Sequence, residues 1–425
     1  MRLGNAAVRV LAGLSIGVLA VGCSSSSTTS QSSSASSPAA AGDNSNASGG
    51  TPIKIGIEFP LSGGDASNGI PSDNGAKLAI QEANKAGVPG GFTFVADDLD
   101  DAVQGTHDPA QGAQNTKTFI SDSAVLAMIG PFNSNVAKAE IPLTNDAGLA
   151  QISPAATNPG LTKGPDAKKG LTHPDVIAFF RVCTTDDKQG AAGATFAKEL
   201  GKKKAFVVDD NETYGKGLAD VFEEQFKAGG GTVLGHEHLN KGQGDFKALL
   251  TKIKSQGPDL VFYGGTSVTG GALLRKQMGD VGMSGVTFFG GDGISDDNFL
   301  TTAGSSANGS YYTLAAPELS KLPSAANFIK AYAANFKDPI GPYSANSYTA
   351  AKIEIAAIEA AIKANGNKVP DRAAVLKNVA ATHGFASPIG TVGFDANGDT
   401  TAPILSLYKI ENGKAVFVKQ VNLST

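Results

Sequence analysis

Two histidines of this sequence have a spacing that could bind a metal ion. In His236-Glu237-His238 the imidazoles stand on alternate residues of a strand-like segment and therefore share one face. The pair follows the apolar residues Val233-Leu234, and a third ligand is not obvious in the sequence. A closed zinc site needs more ligands than this pair supplies. We therefore interpret the segment as the solvent-facing end of a strand.

Two acidic segments could in principle bind calcium. Four aspartates stand between Asp97 and Asp101, directly after a predicted strand, where acidic residues commonly cap turns and helices. The segment from Asp395 to Asp399 begins like an EF-hand loop, but the sixth position is not glycine and Ser406 replaces the bidentate glutamate. We interpret both segments as turns and expect neither a metal nor a cofactor.

Motifs of common enzyme classes are absent from the sequence. It contains no G-x-S-x-G nucleophile elbow, no P-loop and no G-x-G-x-x-G after a strand. The chain also has no tryptophan and no basic run, and its formal net charge is -4, so the electrostatic footprint of a nucleic-acid-binding protein is missing. We expect a protein that is not an enzyme and does not bind nucleic acid.

The N-terminus has the parts of a secretory signal. Arg2 and Arg9 precede an apolar run that is too short to span a membrane, and Gly22 precedes Cys23. Residues 19–23 resemble a bacterial lipobox, except that Ala20 stands where leucine is usual. We predict a signal peptide over residues 1–22 and lipidation of Cys23.

The segment after Cys23 is dominated by serine, alanine, glycine and asparagine. Too few apolar residues are present to offset the entropy of ordering it, so residues 23–50 are predicted to form a disordered tether. Cys183 is the only cysteine beyond Cys23, which excludes a disulfide within the body of the protein. It ends an apolar run, and we expect a buried strand residue.

The body of the chain, from Thr51 to Thr425, alternates between short apolar strands and amphipathic helices. Continuous apolar strands that alternate with such helices predict parallel sheets covered on both faces. Two segments interrupt this alternation of strands and helices. They are a helical region over 325–336 and 344–364 and a C-terminal hairpin around 395–399. The fold class is therefore α/β, with two doubly wound lobes. The predicted strands lie at 53–59, 92–95, 124–129, 149–152, 205–208, 260–263 and 286–289.

Several segments of the body carry a resemblance to a known family. They are Ile53-Lys54-Ile55-Gly56, Pro60-Leu61-Ser62-Gly63, Asn74 to Ala79, Ile129-Gly130-Pro131, Ile152 to Thr157, Asp210 to Leu218, Asp245-Phe246, Asp259 to Gly265 and Phe394 to Asp399. Together and in this order they resemble the leucine/isoleucine/valine-binding protein family, the type I solute-binding components of ABC importers. Each segment alone is a weak signal, whereas the ordered set is specific.

The resemblance implies two lobes that close about a hinge onto one ligand. Three crossovers would join them, near Asp186, Ala316 and Pro388. The first lobe would comprise residues 51–186 and 317–388, and the second lobe residues 187–316 and 389–425.

The resemblance also implies which residues of the first lobe bind an amino acid. Ser134 matches a residue at a helix start, where a hydroxyl and free backbone N–H groups suit a carboxylate. The Ala155 carbonyl can accept a hydrogen bond from an ammonium. The Thr157 hydroxyl can form a hydrogen bond with either the ammonium or the carboxylate. Taken without the resemblance, Ser134 would be a helix N-cap and Thr157 a turn residue.

In the second lobe, Tyr214 matches a ligand-contacting tyrosine, and Asp292 stands where the family often has a glutamate that pairs with the ligand ammonium. Asp292 could instead cap the start of a helix. Asn68 and Thr266 replace two expected tyrosines of the pocket wall, and Asn133 replaces an expected cysteine. These departures affect the side-chain pocket more than the residues that hold the charged groups.

Four interpretations of function remain open. The first is a lipid-anchored, monomeric receptor on the outer face of a bacterial membrane that delivers a branched-chain or polar amino acid to an ABC permease. The second is a receptor for an amide, urea or small carboxylate, and the third is a sensor for a membrane signalling partner. An enzyme is the fourth, but the predicted cleft residues include no histidine, lysine or cysteine.

Overall fold

A computed structural model describes residues 50–167 and 177–423. The predicted signal peptide, Cys23 and all of the tether except residue 50 lie outside this part of the chain. Among the described helices, none is long and apolar enough to cross a membrane.

The described body alternates between strands and helices, as the apolar pattern predicts. The strands are β1 (Pro52–Phe59), β2 (Thr93–Asp100), β3 (Ala102–Val103), β4 (Thr106–His107), β5 (Val125–Ile129), β6 (Ala150–Ser153), β7 (Phe179–Arg181), β8 (Lys204–Asp209), β9 (Thr232–His238), β10 (Leu260–Gly264), β11 (Thr287–Gly290), β12 (Tyr311–Leu314), β13 (Phe385–Ser387), β14 (Gly390–Val392), β15 (Ile404–Glu411) and β16 (Lys414–Asn422). The helices are α1 (Ala66–Ala86), α2 (Pro109–Ser121), α3 (Ser134–Ala147), α4 (Gly164–Asp166), α5 (Asp186–Glu199), α6 (Thr213–Ala228), α7 (Lys247–Ser255), α8 (Ala272–Asp280), α9 (Asp297–Ala303), α10 (Ala326–Asn335), α11 (Ser344–Ala364) and α12 (Arg372–Ala380).

The first lobe is built on a parallel sheet whose described strands have the order β2-β1-β5-β6-β7. Every residue of β5 is buried, as expected for a strand covered on both faces. On β1, Ile55 and Ile57 belong to the core shared with α1 and α11. Gly56 points the other way, since a Cβ there would lie 3.0 Å from the Phe119 ring of α2. Helices therefore cover both faces of this sheet.

The second lobe is built on a mixed sheet whose described strands have the order β16-β15-β12-β11-β10-β8-β9. The pairs from β9 to β12 are parallel, and β15 and β16 join antiparallel at one edge. Alternate residues of β8 pack into two different hydrophobic cores. Ala205 and Val207 lie on one side of the sheet, and Phe206 and Val208 lie on the other. The strand β9 is the opposite edge, and most of its residues are partly exposed.

Three connections join the lobes, and the fold class is confirmed. They run between β7 and α5, between β12 and α10, and between Phe394 and β15. The returning helices α11 and α12 pack on the first lobe, and Ile389, Val392 and Phe394 belong to the same core. The residue boundaries given above for the lobes stay a prediction.

Two local predictions can be compared with the structure. The segment from Asp395 to Asp399 is a turn, closed by a hydrogen bond from the Asp395 N–H to the Asp399 carbonyl. Cys183 is buried, as predicted, but it lies just after β7 rather than within the strand.

A buried ion pair holds three loops at the end of β7. Arg181 is fully buried, and its Nε donates to Asp399 at 2.7 Å. Its Nη1 donates to the carbonyls of Ala156 and Asn158, both at 2.8 Å. Lys163, whose side chain is one-third exposed, contacts the other Asp399 oxygen at 2.9 Å. The guanidinium therefore positions the loop after β6, which carries Ala155 and Thr157.

We expect Asp399→Ala to lower the free energy of unfolding by about 3–5 kcal/mol, because it leaves the Arg181 charge buried and without its partner. The control Lys163→Ala should cost less than about 1 kcal/mol, since that pair is partly solvated. Urea denaturation with an unchanged m-value measures both losses. Equal, small losses would contradict the assigned role of Arg181.

Candidate ligand-binding site

The predicted site residues follow the carboxyl ends of parallel strands in both lobes. Parallel α/β sheets bind ligands at this edge. Ser134 follows β5, Ala155 and Thr157 follow β6, Tyr214 follows β8, Thr266 follows β10, Asp292 follows β11, and Asn68 lies near the start of α1 after β1.

Asp292 is a buried carboxylate held within the second lobe. Its Oδ1 accepts hydrogen bonds from Gln189 Nε2 at 2.6 Å and from the Tyr214 hydroxyl at 3.1 Å. The Tyr214 oxygen in turn accepts from the Gly293 N–H at 3.0 Å. Gly291, not Asp292, is the N-cap of the short turn that follows. Asp292 is therefore not a helix cap, and burial raises the pKa of its carboxyl group.

A second carboxylate, Asp186, interacts with Asp292. It is fully buried at the start of α5, and its Oδ2 accepts from the Thr157 hydroxyl at 3.0 Å. Its Oδ1 has no hydrogen-bond partner within the described chain. Burial and then the charge of Asp292 raise the pKa of Asp186 well above its usual range. Two buried carboxyl groups whose pKa values are raised would both be favoured in their ionised form by a bound cation.

The first lobe contributes a helix start and a constrained loop. Ser134 is the first residue of α3, whose N-cap is Asn133, so Ser134 is not the cap. Its Oγ accepts from the Asn158 N–H at 3.2 Å. The Ser153 hydroxyl accepts from the N–H groups of Ala155 and Ala156, at 3.3 and 2.9 Å. The loop that contains Ala155 and Thr157 is thus fixed by neighbouring hydroxyls and by Arg181.

The two residues that replace the expected tyrosines, Asn68 and Thr266, make different contacts. Thr266 caps the turn that follows it, because its hydroxyl accepts from the Thr269 N–H at 3.3 Å. Asn68 Nδ2 donates to Asp296 Oδ2 at 3.0 Å, a contact between the two lobes. Neither shares a hydrogen bond with Asp292 among the described contacts. Their roles in ligand binding, like those of the other site residues, stay predictions.

Three buried polar residues of this region were not predicted from the sequence. Asp186 was used only to mark a crossover, and Gln189 lies one helical turn later on α5. Tyr343 precedes α11; its ring packs edge-on against Phe132 with centroids 5.5 Å apart. Burial and then the charge of Asp292 raise the pKa of the Tyr343 hydroxyl. The i, i+3 spacing of Asp186 and Gln189 places them on one helix face, which is the signal that could have identified them.

A buried histidine links the two lobes. His107 Nδ1 lies 2.8 Å from Asp65 in the first lobe, and its Nε2 lies 2.8 Å from Glu212, which precedes α6 in the second. Burial lowers the pKa of the imidazole, but the hydrogen bonds to Asp65 and Glu212 outweigh that effect and raise it to about 10. Asn135 Nδ2 also donates to Glu212, at 3.1 Å. Charged hydrogen bonds therefore hold the lobes together beside the cleft.

Comparisons with known proteins agree with this architecture. A family model described as periplasmic binding protein matches residues 52–415. The Leu/Ile/Val-binding protein homolog 3 of Brucella melitensis is 32% identical over 86% of this chain and 93% of its own length. A Leu/Ile/Val-binding protein of Rhizobium johnstonii is 34% identical over the same shares.

Solved structures give the same result. The leucine-binding protein LivK of Thermotoga maritima has a TM-score of 0.76 and 26% identity, over 87% of this chain and 99% of that one. LivJ of Streptococcus pneumoniae, a branched-chain amino acid transporter substrate-binding protein in complex with isoleucine, has a TM-score of 0.74 and 28% identity, over 88% and 100%. The chain therefore belongs to the periplasmic binding protein family and, within it, to the group of Leu/Ile/Val-binding protein homologues.

Proposed function

We propose that the chain is an extracytoplasmic receptor that captures an amino acid between its lobes and delivers it to an ABC permease. The observation that carries this proposal is the pair of buried carboxylates, Asp186 and Asp292, at the cleft edge of the two sheets. Burial raises the pKa of both carboxyl groups, and a ligand ammonium would favour their ionised form. A charge-assisted hydrogen bond of this kind contributes roughly 1.5–3 kcal/mol.

The first lobe provides the complementary group for the ligand carboxylate. The start of α3 offers the backbone N–H groups of its first turn and the hydroxyl of Ser134, where partial positive charge favours an anion. The Ala155 carbonyl and the Thr157 hydroxyl, on the next loop, complete the set by accepting from or donating to the charged groups. An α-amino acid carries both groups on one carbon and so matches the two lobes at once.

The side chain of the ligand is chosen by residues outside this set. Asn68 and Thr266 are smaller and more polar than the tyrosines expected of leucine-binding relatives. A branched-chain amino acid is supported by the names of the Brucella, Rhizobium and Streptococcus relatives. A polar amino acid is supported by Asn68 and Thr266.

The N-terminal features give the receptor its place. The signal peptide over residues 1–22 would export the chain. Lipidation of Cys23 and a tether to residue 50 would then hold a monomeric binding body near the outer face of the cell membrane. Capture would then occur within reach of the permease. A sensor that reports ligand occupancy to a membrane signalling partner would use the same closed lobes.

A receptor for a small carboxylate, amide or urea is the second candidate. A solute-binding protein from R. palustris in complex with benzoate shares the fold, with a TM-score of 0.72 and 23% identity. A ligand without an ammonium would leave Asp186 and Asp292 without a counter-charge, so the geometry favours the amino acid.

Thermal denaturation against a ligand panel separates these candidates. We expect at least one amino acid to raise the unfolding midpoint with concentration, because it binds only the folded chain. Amides, urea and benzoate serve as the comparison set. A shift from these compounds with none from any amino acid would reject the amino-acid assignment.

The variant Asp292→Asn tests the ammonium contact directly. Removing one charge-assisted contact should weaken amino-acid affinity by about tenfold or more, the factor that 1.4 kcal/mol produces. The matched control is Asp297→Asn, on the exposed first residue of α9. Calorimetric titration that gives the same affinity for wild type and Asp292→Asn would remove Asp292 from the site.

His107 bridges the two lobes, so we expect its substitution to change ligand affinity although His107 does not touch the ligand. We expect His107→Gln to weaken ligand binding by about tenfold, because the charged bonds to Asp65 and Glu212 no longer favour the closed arrangement. The control is His383→Gln, an exposed histidine. Titration calorimetry measures both variants, and an unchanged affinity in His107→Gln would show that this bridge does not contribute to closure.

A further inference from the structure

A cluster of side chains on the second lobe lies apart from the candidate amino-acid site. Asp209 ends β8, and His236 and His238 stand on the neighbouring edge strand β9, where parallel pairing puts His238 opposite Asp209. His236 Nε2 lies 2.7 Å from Asp209 Oδ2, and His238 Nδ1 lies 2.8 Å from the same oxygen. Asp209, which lies 27 positions before His236, therefore provides the third candidate ligand that was not obvious in the sequence.

A carboxylate on the far side orients one of the imidazoles. Glu223 on α6 lies 2.6 Å from His236 Nδ1. A metal-binding histidine almost always donates its other ring N–H to such a group, which fixes the tautomer and the ring orientation. With Nδ1 bound to Glu223, Nε2 of His236 points at Asp209. A metal ion that replaces the proton between Nε2 and the carboxylate would bind both of them.

We propose that Asp209, His236 and His238 bind a divalent transition-metal ion, with Glu223 positioning His236. The ligand atoms of the three residues lie within 4.8 Å of one another. A tetrahedral zinc ion with bonds of about 2.0–2.1 Å holds its N and O ligands about 3.3 Å apart, so small side-chain rotations suffice. The side chain of His238 is 47% exposed, which gives the ion access from solvent and leaves a position for water.

The donor set selects the class of ion. Two imidazoles and one carboxylate suit Zn²⁺, Co²⁺, Ni²⁺ or Cu²⁺, whereas Mg²⁺ and Ca²⁺ prefer oxygen ligands. The Asp209 carboxylate is fully buried and contacts both imidazoles, so the three donor groups already converge on one point. The ion would link the edge strand β9 to β8 and, through Glu223, to α6.

All four residues belong to the second lobe. Metal binding therefore does not depend on closure of the lobes or on the proposed amino-acid ligand.

Titration of the chain with Zn²⁺ and Co²⁺ tests this site. The protein should be prepared without an affinity tag and with Cys23→Ser, so that neither a tag nor that thiol contributes ligands. We expect one equivalent of zinc to bind, the thermal midpoint to rise with zinc but not with Mg²⁺, and bound cobalt to show visible absorption from a low-coordinate site. His236→Ala should abolish these effects, and Glu223→Gln should weaken zinc affinity roughly ten- to a hundredfold.

The control is His383→Ala, which removes an exposed histidine far from the cluster in sequence. Its zinc affinity should equal that of the parent. Absence of stoichiometric zinc binding, or binding that survives His236→Ala, would overturn the proposal. Neither result bears on amino-acid binding, which the ligand panel measures separately.

Discussion

The proposed binding site depends on two buried carboxyl groups, those of Asp186 and Asp292. Asp186 and Asp292 lie out of water, and the charge of Asp292 raises the pKa of Asp186. Gln189 and Tyr214 hold Asp292 in place, and Thr157 reaches Asp186 from the first lobe. In the proposed function this pair binds a small cation, and a cation that also carries a carboxylate would engage the start of α3.

Other charged contacts keep the elements that carry this site in register. Arg181 secures the loop after β6 through Ala156 and Asn158, so the loop that presents Ala155 and Thr157 depends on a guanidinium inside the first lobe. His107 acts between the lobes, through Asp65 and Glu212. The position of the loop after β6 and the contact between the lobes thus rest on separate ion pairs, and single substitutions can distinguish them.

The strands and helices could be predicted from the sequence because their patterns are local. The apolar run of β5 and the helix over 344–364 follow from periodicity and length alone. Asp292 and Tyr214 were found through a family resemblance, and the structure brings them together. Asp186 and Gln189 were missed because polar residues at a helix start normally face water. Burial of their side chains depends on where the crossover places α5, which no local pattern specifies. Asp209 was missed as a neighbour of His236 for a similar reason, since strand pairing is non-local.

Two ligands that differ in one group test the ammonium contact most directly. L-leucine and 4-methylpentanoate share the same carbon skeleton and carboxylate, and only leucine has an ammonium. If leucine proves to be the bound amino acid in calorimetry, the account predicts that 4-methylpentanoate binds at least a hundredfold more weakly, since both buried carboxylates lose their partner. For any other amino acid the same comparison uses its own deaminated analogue. Equal affinity of the two compounds would contradict the claim that Asp186 and Asp292 bind the ligand ammonium.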